Sequence, residues 1–382
     1  MPAAGFLNDI SSAILPAALE RVRTVYPTFG LLFPSVGDGR NRYLLTENRD
    51  WLASFSVGLR WLTYAATGDP DICAEAKALL PTFVERLERR IHLNHDLGFL
   101  FLLSARAQWQ LTGDQAAHQQ AMRAAQELAG RYRPLGGYLQ AWGEIGDDAE
   151  GGRFIVDCMM NIPLLFWAAR ETGQQLYYDI AVQHAITSQR HLVRDDGSTY
   201  HTFFFDPSTG QPMGPRTHQG YADDSLWARG QSWAIYGFAL AAEWTGRNDF
   251  LDTARRTADR FLAEHPSNGV SLWDLRLPAD APQYPDSSAD AIAIGGMFRI
   301  ARLATGDESS RYRNRALNML ERLIKDCFET DVNAQGLLKH GTYHAHQALG
   351  VDTYTIFGDY FFLEALLQAT GQAPDFWGPA SR

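Results

Sequence analysis

The dipeptide Thr-Gly ends an apolar, helix-like stretch six times, and no other feature of the sequence constrains the fold as strongly. The copies begin at Thr67, Thr112, Thr172, Thr245, Thr305 and Thr370, at intervals of 45 to 73 residues. Glycine beyond a helix end adopts the left-handed conformation without the penalty of a Cβ atom. Several copies precede an aspartate that can cap a following helix, namely Asp69, Asp114 and Asp307. Each copy is therefore predicted to end one helix shortly before the next begins, whereas Thr209-Gly210, in a Gly/Pro-rich stretch, is predicted in a loop.

The stretches that lead into these six copies are apolar on almost every face, as in WLASFSVGLRWLTYAA at 51–66. Their partners, such as RYRNRALNMLERLIKD at 311–326, alternate charged and apolar residues. The first pattern is typical of helices buried on both sides, and the second of an outer layer. Six inner and six outer helices predict an all-α fold, an (α/α)6 barrel, as one domain over residues 1–382. An open solenoid is the less favoured alternative, because its repeats are usually shorter and more regular and need polar terminal caps.

Three stretches interrupt the helical pattern, at about 131–156, 195–224 and 331–353, and they are rich in Gly, Pro, Asp and aromatic residues. Long loops without regular structure are uncommon unless they have a function. In a barrel these loops are expected to gather at one mouth and to form a cleft there.

Composition excludes several classes of partner. The net charge is −10, from 34 Lys and Arg against 44 Asp and Glu, so nucleic acid is not an expected partner. No run of 18 apolar residues is present, so no membrane span is predicted. The first residues lack a signal-peptide pattern and the three cysteines are scattered, which together favour the cytoplasm. Aromatic residues make up 12%, which suits sugar-stacking platforms, although large core residues explain most of them.

Two aspartates open two of the predicted inner helices and are the first candidates for chemistry. Asp96 precedes the apolar run LGF, and Asp157 lies in FIVDCMMN. Either one alone could be an ordinary helix cap, but both carboxylates are predicted to point into the same mouth. Paired carboxylates are typical of glycoside cleavage, in which one acts as general acid. The apolar neighbours of Asp157 are expected to raise its pKa, which favours the acid role for this residue.

The stretch 217–238 has the highest density of polar and aromatic candidates, among them Gln219, Arg229 and Trp233. The fork-shaped guanidinium of Arg229 suits a substrate carboxylate, although an Arg–Asp pair that ties down a loop is the structural alternative. His201 could be a site residue or an ordinary loop histidine.

Neither a metal nor a nucleotide cofactor is predicted. His340, His344 and His346 have a loose metal-like spacing, but no cysteine or acidic cluster adjoins them. The sequence also contains no P-loop, dinucleotide-binding glycine run or GxSxG elbow.

Five strings, spread in order over most of the chain, resemble the unsaturated glucuronyl hydrolases of glycoside hydrolase family 88. They are NHDLGF (94–99), IVDCMMNIPLLFWA (155–168), GYADDSLWARGQSWAIYGF (220–238), DSSADAIAIGG (286–296) and IFGDYFFLEAL (356–366). The related unsaturated rhamnogalacturonyl hydrolases are expected to have ARGNGW where this chain has ARGQSW, which favours the glucuronyl family. Phe357 departs from the family pattern, in which Trp is more usual.

The resemblance implies a substrate and an unusual reaction. The substrate is an oligosaccharide whose non-reducing end is a 4,5-unsaturated uronic acid left by a polysaccharide lyase. Asp157 resembles the general acid/base that hydrates the C4=C5 vinyl ether, and Asp96 resembles the second essential carboxylate. The family uses no metal or organic cofactor. The substrate-binding residues that the resemblance implies are His95, Trp51, Phe55, Trp142, His201, Gln219, Arg229 and Trp233.

Two alternatives of other kinds stay open, and the parent polysaccharide and oligomeric state are left undetermined. One is a different (α/α)6 enzyme, such as an unsaturated rhamnogalacturonyl hydrolase or a sugar epimerase; an epimerase would leave the C4=C5 bond of such a substrate untouched. A non-catalytic carbohydrate-binding barrel would bind its ligand without turnover and would tolerate Asp157→Asn.

Overall fold

The computed structural model describes residues 4–147 and 149–379, and the rest of the predicted 1–382 domain lies outside these ranges. The described helices are α1 (Ala4–Asp9), α2 (Leu15–Val25), α3 (Ala53–Thr67), α4 (Pro70–Glu88), α5 (Leu97–Phe101), α6 (Ala107–Thr112), α7 (Gln115–Ala129), α8 (Pro163–Thr172), α9 (Gln175–His191), α10 (Ala228–Thr245), α11 (Asn248–Glu264), α12 (Ser287–Leu303), α13 (Gly306–Cys327) and α14 (Ile356–Thr370). Two π-helical turns, Ile10–Ile14 and Leu102–Arg106, join α1 to α2 and α5 to α6 as continuous helical units.

These units form two concentric layers. The inner layer consists of α3, α5–α6, α8, α10, α12 and α14, and neighbouring members pack against each other around the ring. The ring is closed because α14, the last inner helix, packs against α3, the first. The α1–α2 unit packs against α3 and α14 and supplies the sixth outer helix. The predicted (α/α)6 barrel is therefore confirmed, and the open solenoid is excluded.

The Thr-Gly turns end five of the six inner helices as predicted. Gly68, Gly113, Gly173, Gly246 and Gly371 follow these helices with φ between 69° and 73°. The preceding threonine also satisfies the helix end: in each of these turns its hydroxyl donates a hydrogen bond to the carbonyl four residues earlier, as from Thr245 to Ala241. This arrangement explains why threonine and glycine recur together.

The sixth turn differs from its prediction. Helix α12 ends at Leu303 because Ala304 is extended, and Gly306, with φ 60°, begins α13. Asp69 and Asp114 cap α4 and α7 as expected. Asp307 instead lies in the first turn of α13 and makes no cap.

Short antiparallel strands that the sequence pattern did not indicate occur in two of the three predicted loops, 131–156 and 195–224, and between α2 and α3. The described strands are β1 (Phe33–Gly37), β2 (Tyr43–Thr46), β3 (Tyr132–Arg133), β4 (Tyr138–Leu139), β5 (Arg153–Ile155), β6 (Thr202–Phe205) and β7 (Pro212–Arg216). They pair as β1–β2, β3–β4 and β5–β6–β7. Thr209-Gly210 lies in the connection between β6 and β7, as predicted for a loop.

We call the end of the barrel where the inner helices begin the mouth, and the end with the Thr-Gly turns the closed end. One continuous apolar cluster fills the space between the layers. At the closed end the C-terminal segment 375–378 enters this cluster, and Phe376 and Trp377 are fully buried. No helix in the described ranges combines the length and the hydropathy that a membrane crossing requires.

Candidate active site

A cavity of about 300 Å³ opens at the mouth and is lined mainly by polar and aromatic side chains. Seven of the ten predicted site residues line it: Trp51, His95, Asp96, Trp142, Asp157, His201 and Gln219. The remaining lining residues are Arg49, Asp50, Arg86, His92, Asn94, Ile155, His218 and Tyr343. Both predicted carboxylates therefore share one cavity.

Asp157 lies on a 3₁₀ turn, Val156–Met160, between β5 and α8. Its side chain is largely buried, and its Oδ2 atom has no hydrogen-bond partner. Burial and the negative charge of Asp96 raise the pKa of Asp157 to about 7, against a smaller opposing effect of Arg229. The expected rise is therefore present, and it allows the Asp157 carboxyl to hold a proton at a pH where an ordinary aspartate is ionised.

Asp96 immediately precedes α5 but does not cap it, because its side chain accepts no hydrogen bond from that helix. Its backbone N–H donates to Asn94 Oδ1 at 2.8 Å, which fixes the turn. His95 Nδ1 donates to the Ala141 carbonyl at 3.1 Å, and its Nε2 lies 3.3 Å from Asp96 Oδ1. The Asp96 backbone is thus fixed at the cavity wall, and its carboxylate, which accepts no hydrogen bond from the described residues, remains available to a ligand.

The hydrogen bonds of His201 define its tautomer. Its Nδ1 accepts the backbone N–H groups of His218 and Gln219, each at 3.1 Å, and so carries no proton. Neutral His201 therefore has its proton on Nε2, which lies 3.8 Å from Asp157 Oδ2. Burial, together with the neighbouring His218 and Arg229, holds the pKa of His201 well below its usual range. This histidine offers a donor to the cavity and does not act as a base.

Aromatic side chains form two walls of the cavity. Trp51 stacks on Phe357 and donates from its indole nitrogen to the hydroxyl of Tyr343 at 3.2 Å. On the other side, Trp142 packs against His95 and His218. Rings held in this way provide apolar faces for a sugar.

Three predicted binding residues do not reach the cavity. Phe55 and Trp233 are fully buried, because they face the packed interior of the ring and contact aromatic residues such as Phe99. Arg229 is also buried and pairs with Asp286 at 3.1 Å.

Arg229 supports the cavity wall from behind. It donates to the Thr342 and Tyr343 carbonyls and to Gln219 Oε1, each at 2.7 Å. This is the loop-tying alternative considered for Arg229, extended to the side chain of Gln219. The prediction that Arg229 directly recognises a carboxylate has no support from this arrangement.

Sequence reasoning missed several lining residues. Asp50 lies just before the inner helix α3, so the rule that singled out Asp96 and Asp157 could have found it. Its Oδ1 accepts the Leu52 N–H, and burial raises its pKa. Tyr343 lies inside the HGTYHAH string, in which the metal-like spacing of the histidines is the more conspicuous signal.

The three histidines of that string are engaged separately. His340 contacts Asp352 and His346 contacts the Gly220 carbonyl, each at 2.7 Å. The ring of His344 lies 5.4 Å from that of His218. Among residues 4–147 and 149–379, no group of three or more His, Cys, Asp or Glu side chains is arranged to hold a metal ion.

A closed double ring of helices with two carboxylates in an aromatic-walled cavity is an architecture suited to glycoside hydrolysis. The sequence profile of Glycosyl Hydrolase Family 88 matches residues 41–361, so the chain belongs to that family. The predicted family is confirmed.

Relatives with assigned names cover nearly the whole chain. The chain is 44% identical to an unsaturated glucuronyl hydrolase of Bacillus sp. strain GL1, over 91% of this chain and 94% of that protein. It is 40% identical to an unsaturated chondroitin disaccharide hydrolase of Streptococcus pyogenes, over 97% of this chain and 93% of that protein. A solved structure of a UGL Asp→Asn variant with dGlcA-Glc-Rha-Glc superposes with a TM-score of 0.94 at 42% identity, over 97% of this chain and 99% of that one.

Proposed function

We propose that this chain releases the non-reducing-terminal 4,5-unsaturated uronic acid from oligosaccharides made by polysaccharide lyases. The reaction begins with hydration of the C4=C5 vinyl ether, with Asp157 as general acid/base and Asp96 as the second carboxylate. The proposal also keeps the cytoplasmic location expected from the sequence.

The main support for the proposal is the raised pKa of Asp157 together with its unpartnered Oδ2 atom. A vinyl ether is protonated on carbon, which requires an acid that holds its proton near neutral pH and is not bound to another group. Asp157 has a pKa of about 7 and an Oδ2 atom without a hydrogen-bond partner in the cavity wall. Ordinary aspartates at a helix start lack both properties, because they are ionised at neutral pH and accept hydrogen bonds from the N–H groups of the helix.

The proposed steps balance without an additional reactant. Asp157 gives its proton to C4, and positive charge develops on C5 and the ring oxygen. Water adds to C5, and its proton passes to the Asp157 carboxylate, which regenerates the acid. The resulting hemiketal opens by breaking the bond between C5 and the ring oxygen. The hemiacetal left at C1 then expels the shortened sugar as an alcohol and leaves a keto uronate.

The other residues of the cavity suit an anionic ring that becomes positive at C5. The negative charge of Asp96 favours that developing charge. The Nε2–H of His201 and the amide of Gln219 offer neutral donors to the substrate. The inner helices also begin at the mouth, and the positive ends of their dipoles favour a carboxylate in a protein whose net charge is −10.

The names of the relatives support the substrate class. One acts as an unsaturated glucuronyl hydrolase and another as an unsaturated chondroitin disaccharide hydrolase. Glycosaminoglycan fragments with an unsaturated uronate are therefore the first substrates to test.

The test follows the ultraviolet absorbance of the conjugated C4=C5 bond in lyase-made unsaturated disaccharides. The native protein is expected to remove the absorbance, and Asp157→Asn is expected to lower kcat by about 10²–10⁴-fold, because the amide cannot supply the proton. Asp50→Asn is the matched control, because it makes the same change in the same cavity and should affect kcat much less.

Two results would contradict the proposal. Persistence of the absorbance with folded native protein, across sulfated and unsulfated disaccharides, would favour an epimerase or a binding barrel. Full activity of Asp157→Asn would remove this residue from the acid role.

A further inference from the structure

Two buried arginines lie at the cavity and bind loop carbonyls: Arg86 forms part of the cavity wall, and Arg131 lies behind it. Arg86 is 1% exposed and Arg131 is 4% exposed. Neither forms an ion pair within 4.0 Å anywhere in the described ranges, although buried guanidinium groups usually have an acidic partner. Burial lowers the pKa of each to about 10, so both remain charged at neutral pH.

Arg86 joins two loops that line the cavity. Its Nη1 donates to the Asp50 carbonyl at 2.8 Å and to Asn48 Oδ1 at 3.1 Å, in the loop that leads to Trp51. Its Nε and Nη2 donate to the Ile91 and His92 carbonyls at 3.0 and 3.2 Å. One planar side chain thus fixes the distance between the loop of Trp51 and the loop that leads to Asp96.

Arg131 binds the same second loop from its other side. Its Nη1 donates to the Leu93 carbonyl at 2.9 Å. Its Nη2 donates to the Trp142 and Gly143 carbonyls, each at 3.0 Å, and its Nε donates to the Gln140 carbonyl at 2.9 Å. Loop 91–96, which carries His95 and Asp96, is therefore held between two guanidinium groups.

The backbone of loop 91–96 and its approach need such support. Arg90 and His92 have φ of 52° and 46°, in the left-handed region that costs energy for residues other than glycine. Arg86 binds the carbonyl of His92 itself and that of Ile91 between the two strained residues. The hydrogen bonds to Arg86 offset the strain and select this conformation.

We propose that Arg86 and Arg131 are positioning residues, which clamp loop 91–96 and so hold Asp96 in register with Asp157. The effect of the clamp on catalysis rests on the proposed function, whereas the hydrogen bonds that hold the loop do not depend on it. Lysine cannot replace either arginine, because one ammonium cannot reach carbonyls on two loops in the fixed fork of a guanidinium.

The test compares Arg86→Lys and Arg131→Lys with Arg106→Lys. Arg106 is also buried and also binds main-chain carbonyls, those of Phe376 and Gly378, but at the closed end. All three variants keep the positive charge and lose the forked hydrogen bonds from a guanidinium group to main-chain carbonyls. Arg86→Lys and Arg131→Lys are expected to lower kcat roughly tenfold to a hundredfold, with a smaller change in KM. Arg106→Lys is expected to lower the unfolding midpoint while kcat stays near the native value.

A pH profile separates positioning from general loosening of the fold. Asp157 is faced by Asp96, His201 and Arg229, and the charge of Asp96 is one cause of its raised pKa. If the clamp variants let Asp96 move away, the fall in kcat/KM at high pH should begin at lower pH. In Arg106→Lys this fall in kcat/KM should begin at the same pH as in the native protein. The proposal would be overturned if kcat of the clamp variants Arg86→Lys and Arg131→Lys fell no more than that of Arg106→Lys. It would also be overturned if the high-pH fall of kcat/KM began at the native pH in both clamp variants.

Hydrogen–deuterium exchange gives a readout that does not depend on the reaction. Amides of residues 91–96 should exchange faster in Arg86→Lys and in Arg131→Lys, but not in Arg106→Lys. Unchanged exchange would refute the clamp even in an active enzyme. An inactive native protein with the expected exchange pattern would refute the proposed function and leave the clamp supported.

Discussion

The mouth and the closed end of the barrel satisfy their polar groups in opposite ways. At the closed end, glycine in the left-handed conformation and a threonine hydroxyl complete five of the inner helices. The buried Arg299 pairs with Glu243 and with Asp375, and Arg302 contacts the same two carboxylates. Arg106 binds main-chain carbonyls there, but Arg299 and Arg302 are matched locally by carboxylates, as expected for a region that only has to be stable.

At the mouth, Arg229 pairs with Asp286, but several other buried charged or polar groups lack a partner of opposite charge. Asp157 keeps an unpartnered oxygen, and Arg86 and Arg131 are bound by carbonyls without a carboxylate. Such an arrangement costs stability, and it persists because the closed end and the apolar ring determine the fold. In this barrel, stability and chemistry are therefore assigned to opposite ends of the same helices. Substitutions at the two ends should therefore have opposite effects.

After Asp157→Asn, the largest effect is expected from Asp96→Asn at the mouth. Loss of this negative charge removes stabilisation of the positive charge at C5, so kcat should fall about 10²–10³-fold. The unfolding midpoint should stay the same or rise, because a buried charge without an ion pair to a cationic side chain is removed. Steady-state kinetics and urea unfolding on the same preparation check both parts. A strongly destabilised variant would show that Asp96 belongs to the stabilising framework.

The reverse pattern is expected from Arg299→Met at the closed end. This change leaves Arg302 as the remaining ion-pair partner of Glu243 and Asp375 among the described residues and should cost about 3 kcal/mol of stability. The kcat of the folded enzyme should stay within about twofold of native, because the site lies at the other end of the helices. Urea unfolding and kinetics at low temperature measure the two quantities. A large fall in kcat without a loss of stability would break the proposed division between the ends.

The pH profile gives a third, smaller effect that concerns the mouth alone. Because the acid form of Asp157 is the active one and its pKa is about 7, kcat/KM should fall as pH rises through 7. In Asp96→Asn the fall should begin at lower pH, because the charge that helps to raise the pKa of Asp157 is gone. Rates measured between pH 5 and 9 in buffers of constant ionic strength test this. If kcat/KM of Asp96→Asn falls at the same pH as that of the native protein, the fall reports the titration of a group other than Asp157.

The sequence predicted the closed end better than the mouth, for a physical reason. Helix ends are local, so a Thr-Gly pair after an apolar run is sufficient to predict a turn. The one displaced helix end, at Leu303, depends on the extended backbone of Ala304, which no residue type requires. The strands β5 and β6 were not predicted, because each is short and pairs with a segment about 50 residues away.

Within the site, the two carboxylates could be predicted because both precede inner helices in recognisable motifs, although a 3₁₀ turn, Val156–Met160, separates Asp157 from the start of α8. The burial of Phe55 and Trp233 could not, because a helix that is apolar on every face does not indicate which rings reach a cavity. The clamp of Arg86 and Arg131 was missed for the converse reason. A charged residue on an outer helix, such as Arg86, or just after one, such as Arg131, is usually solvated, and only the fold shows that these two point inward to carbonyl groups.

The smallest effect is expected from Gly246→Ala, which tests whether the Thr-Gly turns are needed for conformation alone. Gly246 has φ 69°, and no neighbouring atom lies within 4 Å of the position that a Cβ atom would take there, so alanine should cost about 1 kcal/mol through backbone strain only. Gly130→Ala is the matched control, because Gly130 ends α7 in the ordinary helical conformation, where alanine should be neutral or slightly stabilising. Both variants should keep native kcat. Equal unfolding midpoints for the two would show that the left-handed turn is not what glycine provides at the closed end.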